Sequence, residues 1–374
     1  VEGWGMFRGS SLTIRYVFLV ATMVTRLTAG EENAVGFTFL GIRPDARSAA
    51  IGPMVAIPNA WSAFYNPAGI AFASGLGMSY NTNDYVANTS INYWTAGMGH
   101  TRFGSLAVNN YRFNYPRIER TNEENPDGTG EYYRPYENAF SASYAYAWSG
   151  WLAVGISHKW IYSKKDLFTA KAQFNDIGIM ARLPLVWFNT GGYRNEISAG
   201  FSSINNRAGK KPVYKSDYHE TIVDPMSNDT SFVFFGGDPI KVPRFDYWAF
   251  AYGLSYQSDA WRFTVFKGMI QLVYKDANVL DDELRVGTEW TIFDILSLRT
   301  QTKNFEKQKN KPRYKEKLIG GAYGASVIIP LKVLDISQWD ITPRIDWTRS
   351  RGLYEKQTYT YWNFGIQMNF WNTK

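Results

Sequence analysis

The chain has 374 residues, 17% aromatic and 20% charged, with a formal charge of +7 and no cysteine. Its 14 Trp, 25 Tyr and 24 Phe exceed what packed soluble cores need, while a mean hydropathy of −0.31 excludes a bundle of membrane helices. The missing cysteines remove disulfides, thiolate metal sites and thiol nucleophiles together, and no basic run suits a nucleic acid. Bland polarity with excess aromatics points instead to a transmembrane β-barrel.

Residues 1–30 read as a secretory signal peptide with upstream residues. Met6 is the expected start; Arg8 and Arg15 precede the apolar run Tyr16–Val24, and Leu27-Thr28-Ala29-Gly30 offers a cleavage site before Glu31-Glu32. The apolar run is too short to span a bilayer, which needs roughly 20 residues. Residues 31–74 lack any period-two pattern and are rich in small residues. They suit a plug segment, with 44–71 inside a lumen, since a fourteen-stranded barrel is too wide for wall side chains to fill. Arg47, Gly52 and the turn Asn66-Pro67-Ala68-Gly69 are its candidate motif. Asn66 is short enough to bond its own backbone, and Pro67 presets φ and cannot join a ladder.

Residues 75–374 read as an outer-membrane β-barrel. The clearest strand alternates Trp362, Phe364, Ile366, Met368 and Phe370 with Asn363, Gly365, Gln367 and Asn369. In a barrel the apolar face meets lipid and the polar face lines the lumen. Such alternation predicts strands near 75–84, 88–99, 101–113, 138–149, 151–163, 169–183 and 195–206. The second half adds 244–257, 260–275, 281–292, 295–304, 317–329, 337–348 and 359–371. The fold class is therefore all-β, a fourteen-stranded antiparallel transmembrane barrel. Connections after odd strands include the long ones (114–137, 207–243, 305–316, 349–358), whereas those after even strands are mostly tight, with 184–194 the longest. Long loops on one side and short turns on the other place both strand-set ends in the periplasm, and the protein in the outer membrane of a Gram-negative bacterium.

Glu283, Arg285, Glu289, Arg299, Asp340, Arg344 and Asp346 fall on lumen positions. They line a polar path or, as any barrel interior requires, neutralise one another across neighbouring strands. The basic run Glu306–Lys315 would meet lipopolysaccharide phosphates if it stands on an outward loop, so outer-membrane lipids and lipopolysaccharide are expected partners. His100 falls in a turn, His158 on the lipid-facing side without an evident partner, and His219 in the longest loop. No two make a metal motif, and no nucleophile elbow or phosphate loop is present. A non-enzymatic protein without cofactor or metal follows.

Several segments resemble the PorV/PorQ family of FadL-like outer-membrane barrels associated with type IX secretion. These are Asp45–Gly52, Asn59–Ala71, Lys159–Ser163, Asn175–Gly178, Ser203–Asn206, Val242–Phe245, Glu283–Glu289 and Leu298–Thr300, and the resemblance they carry spans most of the mature chain. The resemblance implies a FadL-like barrel with an N-terminal plug that receives exported cargo by its C-terminal signal domain. It then passes the cargo to the surface attachment machinery, with 114–137 and 207–243 as docking loops. The Asn-Pro-Ala stretch is shared with FadL-type transporters, which leaves a transporter of hydrophobic small molecules as the alternative.

Overall fold

The computed structural model describes residues 35–73, 75–100, 103–121, 124–223, 230–236, 239–258, 264–278, 280, 282–307, 321–337, 339–351 and 358–369. The expected signal peptide lies outside them. Fourteen long strands follow the apolar alternation: β1 Gly75–Asp84, β2 Ser90–His100, β3 Gly104–Asn114, β4 Tyr136–Ser149, β5 Leu152–Lys165, β6 Phe168–Pro184 and β7 Tyr193–Arg207. The rest are β8 Phe245–Gln257, β9 Thr264–Ala277, β10 Asp282–Ile292, β11 Leu296–Lys307, β12 Ala322–Ile328, β13 Asp340–Arg351 and β14 Thr358–Asn369. Each pairs antiparallel with its neighbours in sequence, and β14 pairs with β1 from Leu76↔Met368 to Asp84↔Thr360. The sheet is thereby closed, and no edge is left in the ring.

Outward positions are apolar and exposed, among them Met78, Leu106, Val154, Ile156, Ile179, Phe250, Leu298 and Phe364. Inward neighbours such as Ser79, Asn81, Ser141, Ser143, Ser157 and Ser202 are buried and polar. Trp148 and Trp187 stand almost fully exposed near one end of the ring, where interfacial aromatics belong. Among the described residues no helix is long and apolar enough to cross a membrane, and the strands do so instead.

Residues 35–73 run inside the ring. Asp45 caps a short helix, α1 (Ala46–Ile51), by accepting from Ser48 N at 2.8 Å, and Gly52 ends it at φ 96°. This helix packs on β10 to β14, while the 3₁₀ turn Pro67–Phe72 packs on β2 to β6. The segment therefore touches the inner wall on opposite sides. Its approach is so close that the facing wall residues are glycines. A Cβ on Gly287 would stand 1.9 Å from Ile51 O, on Gly200 2.1 Å from Val55 O, on Gly155 2.4 Å from Ala68 N, and on Gly97 2.5 Å from Ala60 O. Glycine inside a strand marks such backbone contact.

Beside this layer the lumen is filled by rings. Phe64 meets Tyr65, Tyr93 and Tyr111 edge-on at 5.0, 5.8 and 5.7 Å, and Phe39 lies 5.1 Å from Tyr111. Phe113, Phe174, Phe245 and Tyr247 complete the buried cluster.

Three loop expectations are corrected. The 207–243 connection carries a further antiparallel hairpin, Lys215–Val223 with Thr230–Gly236, joined to β6 at Lys215↔Thr169. The 114–137 connection pairs Ile118–Glu119 with Tyr132–Tyr133. Both hairpins use β-branched and aromatic residues that favour strands wherever a partner is available. On the tight side the longest connection is 329–339, not 184–194, because β12 ends at Ile328 and β13 starts at Asp340.

The glycine contacts predict that Gly287→Ala and Gly200→Ala each destabilise the protein by about 1–3 kcal/mol, the usual cost of overpacking. Gly253→Ala, where nothing lies nearer than 4.0 Å, should be close to neutral. Urea unfolding in detergent, followed by heat-modifiable gel mobility, separates these outcomes.

Candidate functional site

The Asn66-Pro67-Ala68-Gly69 turn is locked from three directions. Asn66 Oδ1 accepts from Ala68 N at 3.0 Å, while its Nδ2 donates to Val55 O at 2.8 Å and to Ile179 O of β6 at 3.2 Å. Pro67 starts the 3₁₀ turn, where its missing N–H costs nothing, and Gly69 N donates to Asn66 O at 3.1 Å. Gly178 on β6 has no side chain to collide with the Asn66 amide. One buried side chain thus joins two parts of the segment to the wall.

Six of the seven expected lumen charges assemble with arginines of the segment, in two groups. In the first, Arg47 makes a two-pronged contact with Glu289, Nε to Oε2 at 2.8 Å and Nη2 to Oε1 at 3.1 Å. Arg299 bridges onward, its Nε donating to Glu289 at 2.8 Å and its Nη1 to Asp346 at 2.8 Å. Asp346 also accepts from Arg344 Nε at 3.0 Å and from Asn363 Nδ2 at 2.5 Å. In the second, Glu283 holds Arg285 at 2.6 Å, Lys275 at 3.3 Å and Arg43 at 3.9 Å. Asp340 belongs to neither group. It lies at the start of β13 and accepts from Asn369 at 3.0 Å.

Burial pushes the Asp45 carboxyl above the usual carboxylate range, against the pull of its two bonds to Ser48. Burial also raises the Tyr65 hydroxyl well above its ordinary value, aided by Asp45, so Tyr65 serves as a neutral donor to Ser48 Oγ at 2.8 Å. Burial and Arg285 lower Arg43, against Glu283, yet a guanidinium stays charged at neutral pH.

Lys159, Asp176 and Asn205 carry no local motif that marks them for a role. In the structure Lys159 Nζ meets Asp176 at 2.9 Å and Asn205 Oδ1 at 3.0 Å, wholly buried, 5.1 Å from the Phe64 ring. Asn205, at φ 61°, donates its backbone N–H to Asp176 at 2.8 Å where the β6–β7 ladder bulges between Asn175 and Ile177. His158 does have a partner: its Nδ1 lies 2.7 Å from Asn175 Oδ1 on the outer face. No cluster of metal-binding side chains exists among the described residues. The basic run Glu306–Lys315 lies outside them from residue 308 onward.

A ring of fourteen antiparallel strands, apolar outside and polar inside, has one home. The protein spans the outer membrane. No family model matches the chain, and no curated protein matches its sequence. Among solved structures it is similar to the Pseudomonas putida toluene transporter TodX, with 11% identity, 87% of this chain and 97% of that one covered, and a TM-score of 0.42. It is also similar to the CymD monoaromatic hydrocarbon channel (10%, 91% and 100%, 0.41) and to a Pseudomonas aeruginosa FadL homologue (9%, 88% and 98%, 0.37). Likenesses this distant carry no argument; the barrel stands on its own strand pairing.

The Arg47–Glu289 contact predicts that Arg47→Met loosens α1 from the wall. Breaking a buried pair costs about 3 kcal/mol at the low end, and the low end applies because Glu289 keeps Arg299. Hydrogen exchange should show amides 49–52 losing about a hundredfold of protection while β10 keeps its own. Equal protection in both proteins would mean that the arginine does not hold the segment.

Proposed function

We propose that the protein is a non-enzymatic transporter of hydrophobic small molecules across the outer membrane, and that residues 35–73 are the hatch of its lumen. The observation that carries this reading is the buried aromatic cluster of Phe39, Phe64, Tyr93, Tyr111, Phe113 and Phe245, to which hatch and wall both contribute. A water-filled pore needs a polar lining along its whole length, whereas aromatic walls favour apolar solutes. The hatch meets the wall through polar anchors at Asn66 and Arg47, and through backbone pressed onto glycine. Such contacts release a segment as a unit, because each depends on the register of the others.

The second reading is the secretion role, in which the barrel hands exported cargo to the attachment machinery. Its support is the resemblance of these segments to the PorV/PorQ family and the hairpin 215–223/230–236 built onto β6. Native purification discriminates the two. Recovery of cargo signal domains without apolar ligand favours secretion, and the reverse favours transport.

Two outcomes test the leading reading. Outer membranes carrying this barrel as their main channel should take up toluene or a long-chain fatty acid at least about tenfold faster than a sugar of similar size, a discrimination worth about 1.4 kcal/mol. Equal rates would overturn it. In planar bilayers the intact chain should conduct little, and deletion of residues 44–71 should open a steady channel. Asn66→Ala with Pro67→Ala should flicker between these states. A deletion variant that conducts no more than the intact chain would show that the segment is no hatch.

A further inference from the structure

We propose that the lumen holds a binding site for a dianionic oxyanion of the phosphate class, formed between Arg43 of the N-terminal segment and Lys275 and Arg285 of the wall. One carboxylate serves all three cations: Glu283 lies 2.6 Å from Arg285, 3.3 Å from Lys275 and 3.9 Å from Arg43. The longest of these is barely a contact, and the other polar partner of Arg43 is the neutral Gln301 Oε1 at 3.2 Å. Three cations against one carboxylate leave two positive charges uncompensated among the described residues. Charge so placed calls for a counter-charge, because a low-dielectric lumen screens it poorly.

A second observation points to the same place. Gln271 on β9 is wholly buried, and neither its amide nitrogen nor its oxygen has a hydrogen-bond partner. It sits on the inward face of β9, two residues before Val273, the cross-strand neighbour of Arg285. Gly52 stands beside it, the place of its absent Cβ being 3.9 Å from Gln271 Nε2. The same Gly52 position lies 3.5 Å from Gln301 Oε1, to which Arg43 donates, and because buried polar groups are almost always satisfied, the unpartnered amide marks a donor for an anion there. Lys275, Glu283, Arg285 and Arg43 each keep 11–16% of their side chains accessible, so the group is not sealed off from solvent.

The excess of two charges selects a dianion over a halide or a monocarboxylate. Tetrahedral oxygens accept from the guanidinium forks, the ammonium and the Gln271 amide together. Lys275 Nζ also lies 5.5 Å from the Phe245 ring, so a phosphate carrying an apolar substituent has aromatic surface beside its charged end. A bound dianion would tie Arg43 to the wall more firmly than Glu283 does.

The test uses the full chain in detergent, titrated with inorganic phosphate and with phenyl phosphate by calorimetry, with chloride and benzoate as controls. Saturable one-site binding is expected for both phosphates, at least tenfold tighter than benzoate. Lys275→Met and Arg285→Met should each weaken it about tenfold or more. Glu283→Gln, which removes the competing carboxylate and keeps the shape, should tighten it severalfold. Absence of saturable phosphate binding in both the native chain and Glu283→Gln, with heat-modifiable mobility confirming intact barrels, would overturn the proposal. Unchanged affinity in Arg285→Met, or weaker binding in Glu283→Gln, would overturn it as well. No flux is measured, so this result stands or falls apart from the transport reading.

Discussion

The controlling constraint is the width of a fourteen-stranded ring. Closure satisfies every backbone group of the wall within the membrane, but it leaves an interior that wall side chains alone do not fill. The chain answers with its own residues 35–73. Much else follows from that choice. Wall glycines at 97, 155, 200 and 287 exist because backbone must lie on backbone there. Small residues dominate α1 because helix and sheet meet at the closest distance alanine and serine allow.

The interior divides into two chemistries. On one side of the lumen the aromatic rings of hatch and wall form a single apolar body. On the other, β9 to β14 carry charges that meet one another and Arg43 and Arg47, paired around Glu289 and Asp346 and with positive charge in excess around Glu283. Paired buried charges add little net stability, but they punish misplacement, since a shift of one residue strands several of them at once. The charged half therefore sets the register of the segment, and the aromatic half supplies its adhesion.

Lys159 and Asp176 play a related part in the wall. Their ion pair, with Asn205 in a left-handed conformation, is the inner face of the bulge between β6 and β7. Directly outside it His158 and Asn175 pair on the lipid-facing surface, where polar groups are costly unless they satisfy each other. Lys159, bonded to Asp176 and Asn205 of that bulge, lies 5.1 Å from the Phe64 ring. Local irregularity thus supports the packing of the hatch.

How much of this was legible beforehand follows from the period of each interaction. All fourteen strands could be read from the alternation of residues such as Trp362 and Asn363, because a wall with lipid on one face imposes a period of two. Asn66-Pro67 at the turn was legible through local backbone chemistry, whereas the helix between Asp45 and Gly52 was added by the structure. The lumen position of Glu283, Glu289 and Asp346 also followed from parity. Their partners did not: Arg47 lies 242 residues from Glu289, and nothing local couples them. The absence of Asp340 from the network, the joining of Lys159 to Asp176 and Asn205, and the pairing of 215–223 with 230–236 were likewise decided by the closed ring. Sequence by itself determined which face each side chain takes, since that depends on neighbours one and two residues away. Only the tertiary structure decided which side chains meet across the lumen, since those distances depend on shear, strand order and the path of the segment inside.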